Sequence, residues 1–139
     1  FFPKANVMAT GDIFVNGTYP YQPASKGAGV TAVIAALEQL LAMTDDKTIF
    51  VPGHGRVGGR ADVLELLAML KDARTRILTL KNQGKGRYYI WLADPLGDLN
   101  AKWGKDSYYT ARDLAIWIYE DLNQPNGPDQ NAAPSVKDS

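Results

Sequence analysis

The stretch "DDKTIFVPGHGRVGGR", Asp45 to Arg60, sets the fold and contains the only histidine of the chain, His54. Lys47 to Val51 is a short apolar run of β-formers closed by Pro52-Gly53, which reads as a strand ending in a tight turn. Immediately after it, Asp62 to Asn82 carries Val63, Leu66, Leu67, Leu70, Ile77 and Leu80 on one helical stripe. Asp62 and Glu65 have capping-box spacing, and Gly84 follows as a stop.

Upstream, the same order is repeated. Asn6 to Val15, "NVMATGDIFV", reads as a strand interrupted at Gly11-Asp12, and Gly17 to Gly29 as a loop with two prolines and several small residues. From Val30 to Met43 the residues Val30, Val33, Ile34, Leu37, Leu40 and Leu41 recur at helical spacing. Strand, helix, strand, helix is the pattern of an α/β layer whose helices cover one face of a sheet. So few strands leave the other face and an edge open, which predicts that another half, in cis or from a partner chain, covers them.

The remainder holds all three tryptophans, Trp91, Trp103 and Trp117, and ends in a helix beginning near Thr110, where Thr110 and Asp113 form an N-cap pair. Beyond Asn123 almost no apolar residue remains, so 123–139 is expected to be a disordered tail after a single domain spanning 1–122. Phe1-Phe2-Pro3 stands almost directly before the first strand without a polar lead-in, as in a cut chain.

Composition narrows the function classes. Fifteen Lys and Arg balance fifteen Asp and Glu, and no basic run is interleaved with aromatics, which argues against nucleic acid as a partner. Cysteine is absent, removing disulfides, thiolate catalysis and Cys-ligated zinc. No apolar run approaches the ~20 residues needed to cross a bilayer, and the N-terminus lacks the regions of a signal peptide, so the chain reads as soluble, with no membrane partner.

Two residues stand out as chemistry-bearing. Asp12 follows a glycine at one strand end, and His54 sits between two glycines at another. Ligands of open α/β sheets collect at the carboxyl ends of strands, so a carboxylate and an imidazole on neighbouring strands can converge there and suit zinc, iron or manganese. The ordinary readings of these positions are a turn or cap aspartate and a solvated loop histidine. No serine occupies a nucleophile-elbow setting, and "KGAG", Lys26 to Gly29, lacks the spacing of a phosphate-binding loop and reads as a helix entry.

The segments "VMATGDIFVNGTYPY" and "KTIFVPGHGRVGGRADV", each followed by a helix, together with "DPLGDLNAKWGKD" and "IWIYEDL", resemble the C-terminal half of the metallo-β-lactamase-fold hydrolases, in particular a cyclase-like branch. The resemblance runs from Phe1 to about Leu122. It implies half of a four-layer αββα sandwich with a zinc pair at one edge of the two sheets. Matched motif by motif, it implies that Asp12 bridges the two metals and that His54 binds the second. The family's other ligands lie in a His-x-His-x-Asp-His loop and one further histidine of the N-terminal half, and a chain with one histidine does not hold them.

For the complete protein the resemblance implies a metal-bound hydroxide attacking an ester, lactone, lactam, thioester or phosphoester. Tyr19, Tyr21 and Lys26, in the loop after Asp12, are expected to border the substrate. The chain alone is expected to be inactive and to pair with its N-terminal half or with a second copy of itself. The competing expectation is a non-catalytic structural or binding module that self-associates through the exposed sheet face.

Overall fold

The computed structural model describes residues 1–24 and 28–124; Lys26 and the segment 125–139, which makes up most of the expected tail, lie outside the described residues. Among the described residues the architecture is α/β. Two strands, β1 (Val7–Val15) and β2 (Ile49–His54), form a parallel sheet joined through helix α1 (Val30–Ala42). After β2 come α2 (Arg60–Asn82), α3 (Arg87–Ala93), a 3-10 turn (Gly97–Leu99), α4 (Asn100–Trp103) and α5 (Ala111–Leu122).

The register of the sheet is Val7 with Ile49, Met8 with Phe50 and Ala9 with Val51. It is clamped at both ends. At the start, Thr48 Oγ1 donates to Asn6 Oδ1 (2.7 Å), Asn6 Nδ2 donates to Asp45 Oδ1 (2.9 Å), and the Ile49 amide donates to the Asn6 carbonyl (3.0 Å). At the far end the Asn16 amide donates to the His54 carbonyl (3.0 Å), and Asn16 Nδ2 donates to the Arg56 carbonyl (2.9 Å). A one-residue slip would break both sets and turn the apolar positions to the wrong face.

Between the clamps the pairing shifts at Gly11, which adopts φ +54°, a left-handed conformation that suits glycine. The interruption expected at Gly11-Asp12 is therefore a bulge within one strand rather than a break. Strand β2 also runs on through Pro52-Gly53 to His54 instead of closing at Val51. In a two-stranded sheet the proline's missing N–H leaves no ladder bond unmade if that side faces away from the partner.

One face of the sheet is covered by helices. Met8, Thr10, Phe14 and Phe50 are buried with Val33, Leu37, Leu66, Leu70 and Ile77, and the Phe14 and Phe50 rings meet edge to face, 6.3 Å between centroids. Helix α5 packs behind α1 and α2 and adds Leu114, Ile118 and Leu122 to this core. The opposite face carries Ala9, Ile49 and Val51, all exposed.

Three helix N-termini are capped by this chain's own groups. Asp62 accepts from the Gly59 amide (2.9 Å), so it is the third residue of a helix starting at Arg60 rather than its cap. Thr110 and Asp113 form the expected reciprocal pair at α5: the Thr110 amide donates to Asp113 Oδ2 (2.9 Å) and the Asp113 amide to Thr110 Oγ1 (3.4 Å). At α1 the Thr31 amide donates to the Asp121 carboxylate (3.0 Å), placing one of the chain's own anions at this N-terminus. No described helix is long and apolar enough to cross a membrane.

Core and cap predict different costs. Phe14→Ala is expected to destabilise by about 3–5 kcal/mol, and Thr110→Ala by about 1 kcal/mol. Urea unfolding followed by circular dichroism measures both.

Candidate functional site

Parallel pairing sets β1 beside β2, and Asp12, which lies in the irregular part of β1 and not at its end as expected, meets His54, the last residue of β2. The bulge at Gly11 aims the aspartate across to β2, and His54 Nε2 lies 3.4 Å from Asp12 Oδ1. Both side chains are open to solvent, 72% exposed for His54 and 76% for Asp12.

Glycine at position 53 is a steric requirement of this arrangement. A Cβ there would overlap the Asp12 carboxylate and approach the Gly11 carbonyl carbon to 2.7 Å, so a side chain would push the two strands' ligand positions apart. Gly55, at φ +92°, lies equally close to the Asn16 carbonyl oxygen, where a Cβ would come within 2.5 Å. The glycines on either side of His54 thus let the two strand ends touch.

An imidazole nitrogen beside a carboxylate oxygen, exposed and unobstructed, fits a divalent metal as two donors of a larger set. Among the described residues no third His, Cys, Asp or Glu joins them closely enough to hold an ion. The rest of a coordination sphere would have to come from outside these residues.

The pair opens onto a cavity of about 330 Å³ lined by Asp12, Val15, Thr18, Tyr19, Tyr21, His54, Asp106, Tyr108 and Tyr109. Tyr21 stacks on Tyr109 (centroids 5.1 Å apart, planes inclined by 27°), and Trp117 of α5 backs both rings edge to face at 5.4 and 5.1 Å. Tyr108 meets Tyr109 at 5.4 Å. Such offset and edge-on contacts hold the rings in fixed relative orientations.

The far wall is anchored to the helical layer through a chain of polar contacts. Arg76 of α2 grips Asp98 with two hydrogen bonds (2.6 and 3.1 Å), fixing the 3-10 turn. The next element supplies Asn100, whose Oδ1 accepts from the Tyr19 hydroxyl and from the Ala111 amide, each at 3.0 Å. That single oxygen ties the loop after β1 to the start of α5.

Of the residues expected from sequence, Asp12 and His54 adjoin each other, and Tyr19 and Tyr21 line the cavity beside them. Tyr19 is buried with its hydroxyl committed to Asn100, whereas Tyr21 is exposed. Lys26 lies outside the described residues. Asp106, Tyr108 and Tyr109 were not anticipated; they reach the cavity from a loop some fifty positions beyond His54, and no periodicity marks them.

Comparison of the chain with known protein families, curated proteins and solved structures finds no match.

Burial, with the nearby Asp98 and Asp94 carboxylates adding to it, pushes the Tyr19 phenol up to about 12. The neutral phenol is thus favoured by the fold. Its stabilising contribution is complete below the unfolded-state value of about 10 and is lost as pH rises from there through about 12. Denaturant midpoints of the wild type and Tyr19→Phe should therefore converge across this interval, and ultraviolet titration should show one late-ionising tyrosine that the variant lacks.

Proposed function

We propose that the chain is the C-terminal half of a metal-dependent hydrolase of the metallo-β-lactamase type, contributing two ligands to a metal centre completed by an N-terminal half. The observation that carries this reading is the 3.4 Å approach of His54 Nε2 to Asp12 Oδ1 across a parallel β-pair. It adds to the resemblance of the "ATGDIF" and "VPGHG" motifs, which alone does not require the two residues to meet.

In this reading Asp12 would hold zinc through its carboxylate and His54 through a neutral imidazole. Bound there, a metal would supply Lewis acidity and an activated water. The chain's own residues do the rest of the local work: the Gly53 and Gly55 contacts keep the two ligands together, and the tyrosine wall shapes the space next to them. The reaction class is hydrolysis of an ester, lactone, lactam, thioester or phosphoester. With two ligands, the chain alone should not turn over substrate.

The exposed Ala9, Ile49 and Val51 support the same reading, because in a four-layer αββα sandwich this face packs on the sheet of the other half. Where that half is missing, a second copy is the proposed occupant.

Cobalt(II) titration followed by visible absorption should show binding that Asp12→Ala and His54→Ala each weaken about tenfold or more, roughly 1.4 kcal/mol. Binding indifferent to both substitutions would remove the metal assignment. In size-exclusion chromatography with light scattering the chain should run as a dimer at micromolar concentration; a well-folded monomer would contradict the sheet-face pairing.

A further inference from the structure

We infer that the tyrosine wall beside Asp12 and His54 is a subsite for a small organic cation, an amine or quaternary ammonium group carried by the ligand, with Asp106 as its counter-charge. The inference rests on the hydrolase reading only for placing the reacting bond next to Asp12 and His54.

Three observations converge on it. Tyr19, Tyr21, Tyr108 and Tyr109 all line one cavity of about 330 Å³, room enough for a benzyl-sized group. The faces of such rings carry negative potential and attract cations, most strongly those too weakly hydrated to prefer water. The described rings that already carry a cation lie elsewhere: Lys85 over Tyr89, Lys102 over Trp103 and Arg112 over Trp91.

Charge selects among occupants. The described wall of the cavity contains two carboxylates, Asp12 and Asp106, and no Lys or Arg. Asp12 faces His54. Asp106 has no ion pair or hydrogen bond among the described residues, so its charge is available to a ligand. Arg56 borders an adjoining hollow of about 490 Å³ that shares Thr18, His54 and Asp106, and it does not line the tyrosine-lined space.

An anionic group in the tyrosine-lined space would meet Asp106 with no Lys or Arg beside it among the described lining residues, and a neutral aromatic would gain stacking but leave that carboxylate unpaired. The cation uses both. Within the hydrolase reading this favours substrates with an amine or ammonium group near the scissile bond over phosphoesters and other anions.

The test is ligand-observed NMR titration of the full chain, in chelator and without metal, with three probes of similar size: benzyltrimethylammonium, benzyl alcohol and benzoate. Saturable binding of the ammonium is expected, tighter than either other probe. Asp106→Asn and Tyr108→Ala, both at exposed positions, should each weaken it about two- to fivefold, the size of one cation contact at an exposed site. Absence of saturable ammonium binding, equal or better binding of benzyl alcohol or benzoate, or indifference to both substitutions would overturn the inference. Because no metal is present, failure here leaves the cobalt result standing, and failure of cobalt binding leaves this result standing.

Discussion

The parallel register of β1 on β2 is the constraint from which the rest of the structure follows. Asn6 and Thr48 lock the strands at their amino ends, and Asn16 locks them at their carboxyl ends through the carbonyls of His54 and Arg56. Those bonds decide which residues face the helices and how far β2 extends beside β1. The meeting of Asp12 and His54 is a consequence of the same register, displaced by shifts on either side of Gly11. A side-chain contact between residues 42 positions apart is thus produced by backbone pairing, and the glycines at 53 and 55 contribute by keeping the approach free of atoms.

A two-stranded sheet is too small to be stable by itself, and the helices make up the difference. The five described helices supply most of the buried side chains, with α2 in contact with both α1 and α5 and the Phe14–Phe50 pair joining the sheet to this layer. Arg76, Asp98 and Asn100 carry the influence of that layer out to the cavity, since Asn100 fixes Tyr19 on one side and the start of α5 on the other. The tyrosine wall is therefore held by tertiary contacts, unlike the ligand pair, which is held by strand pairing. The two parts of the site have separate supports.

Much of this was legible in the sequence wherever a single period or a local motif carried the information. The helix from Val30 ends within one residue of its expected limit, and the Thr110–Asp113 cap forms as its spacing implies. The convergence of Asp12 and His54 could be anticipated because each follows a glycine in a β-run, although Asp12 lies inside β1 and only His54 stands at a strand end. Local readings failed where partners were distant. Asp62 has cap-like spacing to Glu65, yet it serves Gly59 instead, and Pro52-Gly53 looked like a strand end although β2 continues through it. The short helices α3 and α4 are too brief to show a period. Asp106, Tyr108 and Tyr109 belong to the cavity only because Asn100 brings their loop back to Tyr19, a relation that no sequence pattern near them records.

If strand pairing builds the site, the Asp12–His54 pair acts as one metal-binding unit. With one histidine in the chain, ¹⁵N labelling of that residue type yields a single imidazole, and ¹¹³Cd serves as a spin-active substitute for zinc. Addition of ¹¹³Cd should produce a scalar coupling at Nε2 of His54, the atom nearest Asp12, and the coupling should vanish in Asp12→Ala. A coupling confined to Nδ1, no coupling at all, or one that survives the loss of Asp12 would contradict the claim that strand pairing has built a shared metal site.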